Sequence, residues 1–316
     1  MSTPIRIHPD NPKLFEYAGR PLVLLTATEH YGAVFNRPFR FDRYLADTAD
    51  KQITLTRLFV LFRELQNHCN PYSTCKPESP DYISPYRRVG PKQALDGQPQ
   101  YDLDQWDPEF FERLHAFVGL AAACDVIVEV VLLSNTYSPD IWALNPLNAA
   151  NNINDLETIP WYQYMSQRAL RLFERQLQLT RHVVTELNAY DNIIWEICNE
   201  PGGGVGPADA PGPGEVNDWL AALNDAIRTT EADLPKQHII AGQEAFAYKL
   251  PQEEQNLLDV HQFADRSFAS AEYEVVNMHP LSNMKFRGKQ YNLGRFMQAQ
   301  LHLEAYRQYC MDLYDQ

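Results

Sequence analysis

Two periods alternate along the chain. Short apolar runs bounded by turn residues read as strands buried on both faces: PLVLLTA (21–27), ITLTRLFVL (53–61), VIVEVVLLS (126–134), NIIWEIC (192–198), HIIAG (238–242) and YEVVNMH (273–279). Between them, apolar positions at helical spacing predict helices near 40–50, 107–123, 161–188 and 215–231, with a last one at 293–314. Such alternation predicts a parallel sheet wrapped by helices. Two long connections break the rhythm. One covers 63–105 and is rich in Pro, Tyr and Arg; the other, 135–160, contains SNTYSPDIWALNPLNAANN. Both follow strands, so in a barrel both lie at the C-terminal face, where active sites are built.

The pattern fits a (β/α)8 TIM barrel of which only about six βα units are legible. A sheet that stopped there would leave its first and sixth strands as open edges, which natural proteins close or cover. The expectation is therefore a single, incomplete barrel domain over residues 1–316. The competing fold is an open doubly wound sheet, whose first βα turn should carry a glycine-rich phosphate loop. TATEHYGAVF carries none.

The stretch NIIWEICNEPGGG, residues 192–204, carries the most chemistry. Regular alternation predicts Ile194, Glu196, Cys198 and Glu200 on one face and Trp195, Ile197 and Asn199 on the other. Pro201 cannot donate to the ladder and helps end the strand. The glycines after it let the chain turn away without crowding a ligand.

WEICNEP, closing the fourth predicted strand, resembles the Asn-Glu-Pro signature of the cellulase-like clan of retaining glycoside hydrolases. The segments HPDNPKLFEYAGRPLVLL and SNTYSPDIWALNPLNAANN also look like uncharacterised members of that clan. The resemblance implies a (β/α)8 barrel with Glu200 as general acid/base and Asn199 as hydrogen-bond partner of the sugar 2-hydroxyl. It implies that Arg57, in LTRLF, steadies the nucleophile, and that His279, in VVNMH, lies near the sugar. Leu281 departs from the clan's pattern, where a Tyr often stands. The clan's nucleophile is a second Glu at the end of the seventh strand, expected here beyond Gln316. Within the chain, Glu244 in IIAGQEAF is the substitute, either as nucleophile or as sugar ligand.

Glycosidic cleavage by retention needs one protonated carboxyl for the leaving oxygen and a second carboxylate about 5 Å away to attack the anomeric carbon. Glu200 supplies the first. Glu196 is expected to be a buried partner of Arg57, because an unpaired carboxylate in the barrel interior would carry a large desolvation cost. His30, after the first strand, is expected to line the pocket. Asn135, Tyr137 and Trp142 are candidate sugar contacts, since aromatic faces pack on pyranose rings and amides bond hydroxyls. Loop packing is the alternative role for each. Phe59, Phe62 and Trp195 are expected in the core.

Composition narrows the rest. The net charge of −14, from 41 acidic and 27 basic residues with no long run of either sign, argues against a nucleic-acid surface or an anionic membrane. No apolar segment reaches bilayer-spanning length, and the N-terminus lacks the basic start and apolar stretch of a secretory signal, so a cytoplasmic protein is expected. The cysteines Cys69, Cys75, Cys124, Cys198 and Cys310 have no zinc spacing, and His68 beside Cys69 does not supply one. PGGGVGPADAPGPG lacks the Lys-Ser/Thr of a phosphate loop, and no Gly-x-Ser-x-Gly elbow occurs. The expectation is thus a glycosidase acting on a β-linked glycan or glycoside, without a cofactor. Its rivals are a non-catalytic carbohydrate-binding barrel and a metal-dependent barrel hydrolase.

Overall fold

The structure is a computed structural model. It describes residues 3–11, 14–26, 29–30, 33–61, 81–201 and 207–242, and beyond them the strands 257–259, 274–277, 283–286 and 289–292.

The chain opens with a three-stranded antiparallel sheet, β1 (Arg6–Ile7), β2 (Phe15–Tyr17) and β3 (Arg20–Leu22). A parallel sheet follows from β4 (Leu25–Thr26) and β5 (Glu29–His30), then α1 (Phe41–Asp50) and β6 (Leu55–Phe59). An antiparallel hairpin, β7 (Tyr86–Gln93) and β8 (Pro99–Trp106), stands between β6 and α2 (Pro108–Ala123). The series resumes with β9 (Ile127–Ser134), the short α3 (Pro139–Trp142), α4 (Leu170–Leu187), β10 (Ile193–Asn199), α5 (Pro213–Ala232) and β11 (Ile240–Gly242). Last come β12 (Leu257–Asp259), β13 (Glu274–Asn277) and the hairpin β14 (Asn283–Phe286) with β15 (Lys289–Asn292).

Parallel pairing runs β4-β13-β12-β11-β10-β9-β6-β5. Because β4 and β5 are successive segments of one stretch of chain, the two ends of this sheet meet and it closes into a barrel. The expected open edges are absent among the described strands. The six predicted strands omit β12, which fills the gap between β11 and β13 and makes the run at 273–279 the seventh station of the ring. The seventh strand expected beyond Gln316 therefore lies within the chain, and the residues that directly follow β13, where the clan's nucleophile is expected, lie outside the described ones.

The barrel strands are apolar on both faces for the reason expected of a parallel sheet: helices cover the outside and side chains fill the inside. Every residue of β9 and of β10 is buried. Inward positions follow the period of two. Leu55, Ile127 and Ile194 form one layer with Ile5 and Phe15, so the N-terminal segment plugs the bottom of the barrel. Two residues further along each strand stand Arg57, Glu129 and Glu196, all fully buried.

Helix ends are fixed locally. Asp107 caps α2 by accepting from the Glu109 amide at 3.0 Å, with Pro108 in the first turn, where its missing N–H costs nothing. At the start of α5 the Glu215 carboxylate reaches back to the Gly212 amide at 3.1 Å. Helices α4 and α5 are joined by the Trp219 indole donating to Gln176 at 2.7 Å, while Gln176 donates to the Tyr164 carbonyl at 3.0 Å.

The β7–β8 hairpin is irregular between Arg88 and Gln93, and Gly90 lies in that irregularity. A methyl added at Gly90 would stand 2.5 Å from the Gln100 Cβ and 3.1 Å from Ile153. Gly90→Ala is therefore expected to lower stability by about 1 to 3 kcal/mol through overpacking. Urea unfolding checks this, and an unchanged midpoint would contradict it.

Candidate active site

The site is built from charged residues within β6, β9 and β10 together with the C-terminal end of β10 and the loop after β9. The Arg57 guanidinium points into the barrel and grips the Glu196 carboxylate: Nη2 lies 2.6 Å from both oxygens and Nε 3.0 Å from one. Glu129 approaches the same guanidinium at 3.3 Å, and the Phe59 ring lies beneath it at 5.2 Å. A buried ion pair of this geometry fixes side chains, because breaking it strands a charge away from water. The expected Arg57–Glu196 pairing is thus present, as is the core position of Phe59 and Trp195. Phe62 lies outside the described residues.

Arg57 also donates to Asn199 Oδ1 at 3.0 Å. Glu196 and Asn199 are three residues apart, yet both meet one side chain. Strict alternation had put them on opposite faces, so the pleat does not carry through to the end of β10. The break comes where the strand stops. Glu200, the next residue, is left-handed at φ +49°, a conformation that costs a non-glycine residue about 1 to 3 kcal/mol and is kept where surrounding contacts enforce it.

Those contacts come from the loop after β9. The Asn135 amide donates to the Asn199 carbonyl at 3.0 Å, and Asn135 Nδ2 donates to the Glu200 carbonyl at 3.0 Å. Asn135 Oδ1 accepts from the Tyr137 amide at 2.9 Å. Tyr137 is itself left-handed, at φ +52°, and its hydroxyl accepts from Asn199 Nδ2 at 2.6 Å. Arg57, Asn199, Glu200, Asn135 and Tyr137 are therefore brought together. Asn135 is buried and committed to backbone.

Trp142 is not at this mouth. It is buried in the loop, donates from its indole to the Ile159 carbonyl at 3.0 Å and packs on Tyr164. The aromatic face that suggested a sugar platform is used for packing. Of the other candidates, His30 lies in β5, beside Leu58 of β6, and its side chain is outside the described residues, as are His279, Glu244, His68, Cys69 and Cys75. Among the described residues no cluster of His, Cys, Asp or Glu has the makings of a metal site. Nor is any helix there long and apolar enough to cross a membrane.

Cys198 sits between the two carboxylates in sequence. Burial, reinforced by the charges of Glu196 and Glu200, pushes its thiol well above the ordinary range. It stays a neutral packing group and offers no thiolate nucleophile. Behind β10, Trp195 donates to Glu231 at 2.8 Å, and Glu231 holds His238 at 2.6 Å. These contacts anchor the outer side of the strand that carries Glu200.

The family model for cellulase (glycosyl hydrolase family 5) matches residues 45–299. The chain belongs to that family. Its fold is accordingly the (β/α)8 TIM barrel, of which the described strands fill seven stations. Among solved structures, a proposed glycoside hydrolase from Bacteroides vulgatus ATCC 8482 superposes with TM-score 0.53 and 14% identity, over 81% of this chain and 42% of that one. A family 5 mannosidase from Rhizomucor miehei, solved as a mutant, gives 0.48 and 13%, over 83% of this chain and 63% of that one. This family 5 chain thus spans less than two thirds of the length of either. No curated protein matches it.

Proposed function

We propose that the chain carries the acid/base side of a retaining β-glycosidase site, with Glu200 protonating the leaving oxygen of a β-linked glycan or glycoside. The observation that supports this reading is the placement of Asn199 and Glu200 together at the end of β10, in a chain of the cellulase family. Asn199 is oriented by Arg57, whose guanidinium can only donate, so the carboxamide oxygen faces Arg57 and the NH2 faces outward toward Tyr137. An NH2 turned that way is the donor that a sugar hydroxyl would accept. Arg57 and Glu196 are assigned the role of holding this pair, rather than reacting. No cofactor enters the reading.

The test is hydrolysis of a panel of aryl β-glycosides, with the anomer released followed by proton NMR. Retention is expected, because the resemblance to the cellulase-like clan implies a second carboxylate about 5 Å from Glu200, the separation that gives that outcome. Inversion would overturn the two-carboxylate assignment. Saturable sugar binding without turnover would favour the non-catalytic barrel.

A further inference from the structure

The geometry points to Asn135 as a positioning residue for the acid: its carboxamide clamps the left-handed turn at Glu200 to the left-handed turn at Tyr137, and so sets the direction of the Glu200 carboxyl. This deepens the reading of Glu200 as acid/base and rests on it. The sequence suggested Asn135 as a sugar contact, but its polar atoms are already spent on protein. Its main-chain N–H bonds the carbonyl of Asn199, its Nδ2 bonds the carbonyl of Glu200, and its Oδ1 receives the amide of Tyr137. One buried side chain therefore spans 65 residues of sequence to bind both strained turns.

Neither Glu200 nor Tyr137 is glycine, so neither adopts positive φ without compensation. In the β region that is ordinary for a strand end, the direction of the Cα–Cβ bond at residue 200 would change, and the carboxyl with it. A misplacement of about 1 Å at a reacting group can cost about 10²-fold in rate. The clamp therefore acts through position. It also ties the acid to Asn199, because the Tyr137 hydroxyl that receives the Asn199 amide is carried on the turn that Asn135 closes. An asparagine is suited to this place: its carboxamide presents a donor to one turn and, from a separate atom, an acceptor to the other, whereas an ionised carboxylate only accepts and a hydroxyl must do both from one atom.

The experiment compares Asn135→Ala and Asn135→Asp with the parent. Both remove the donor to Glu200, whereas Asp alone keeps the acceptor for Tyr137 and alone adds a charge, so an effect common to both belongs to the lost donor. In crystal structures of the variants, Glu200 is expected to leave the left-handed region. In kinetics, kcat on an alkyl β-glycoside, which needs the proton, is expected to fall about 10²-fold. The loss in the glycosylation step for a dinitrophenyl β-glycoside, which needs little proton assistance, is expected to be much smaller. KM should change less than kcat.

Glu200 retained at positive φ in both variants would overturn the clamp. An equal loss on both substrates, tracking a lowered unfolding midpoint, would reduce Asn135 to a structural residue and also overturn the proposal. If the parent hydrolyses neither glycoside, the acid/base reading fails by itself, and the crystal structures still decide whether Asn135 enforces the turn.

Discussion

Glu200→Gln is expected to lower kcat/KM on alkyl β-glycosides by about 10² to 10⁴-fold, the range that a positioned general acid contributes. The substitution is isosteric, and the contact that fixes the turn is made by the Glu200 main-chain carbonyl rather than its side chain. That main-chain contact is untouched by the substitution, so the loss reads the proton. The pH dependence gives a second signature. The protonated carboxyl is the active form, so activity of the parent on poor leaving groups falls as pH rises through the acid's pKa. Gln does not titrate, so that alkaline limb is expected to vanish from the variant's residual glycosylation activity. With dinitrophenyl glycosides, whose leaving group departs unaided, the first step should survive while turnover of the intermediate slows, because the same group then serves as base. Unchanged turnover on alkyl glycosides would remove Glu200 from the chemistry.

Arg57→Met is expected to cost about 3 to 5 kcal/mol of folding stability, since it leaves carboxylates in a dry interior without their cation. Methionine can replace much of the aliphatic stem but nothing of the guanidinium that lies over Phe59. Both Glu196 and Glu129 then keep their charge sites within the barrel, where they had stood 2.6 and 3.3 Å from Arg57. Denaturant unfolding measures the loss. A double variant, Arg57→Met with Glu196→Met, is expected to regain part of it, because apolar replacement of Arg57 and Glu196 removes one of the two stranded charges and leaves Glu129. A loss below about 1 kcal/mol in the single variant would place this group among the weak pairs of the surface.

The barrel was legible in the sequence to the extent that its strands are apolar on both faces. LTRLF, IVEVVLLS and IIWEICN announce themselves because burial on two sides requires it, and the amphipathic α5 falls where its periodicity places it, whereas α4 begins at Leu170 rather than at 161, the stretch before it opening with a short 3-10 turn. β12 did not, because Leu257 and Leu258 alone define no period. The β7–β8 hairpin escaped for a related reason: YRRVGPKQ is polar, interrupted by Gly90 and Pro91, and half exposed, so nothing in it alternates. At the site, Glu200, Asn199 and the Arg57–Glu196 pair could be named from one motif and one desolvation argument. The role of Asn135 could not. Its partner Glu200 is 65 residues away, and an asparagine in a loop reads the same whether it faces a sugar or a carbonyl. Trp142 misled for the converse reason, since an indole that suits a pyranose also suits a loop core.

The plug beneath the barrel has a consequence for what happens above it. With Ile5, Phe15 and Leu24 packed against the lowest inward layer, the described part of the barrel has a floor. Water is therefore kept from Arg57 and its carboxylates on that side, and a ligand seated at the opposite mouth would shield them from the other. Occupancy and polarity are then coupled: under the proposed function, a sugar bound there would lower the dielectric around those charges and sharpen the field at its own glycosidic bond.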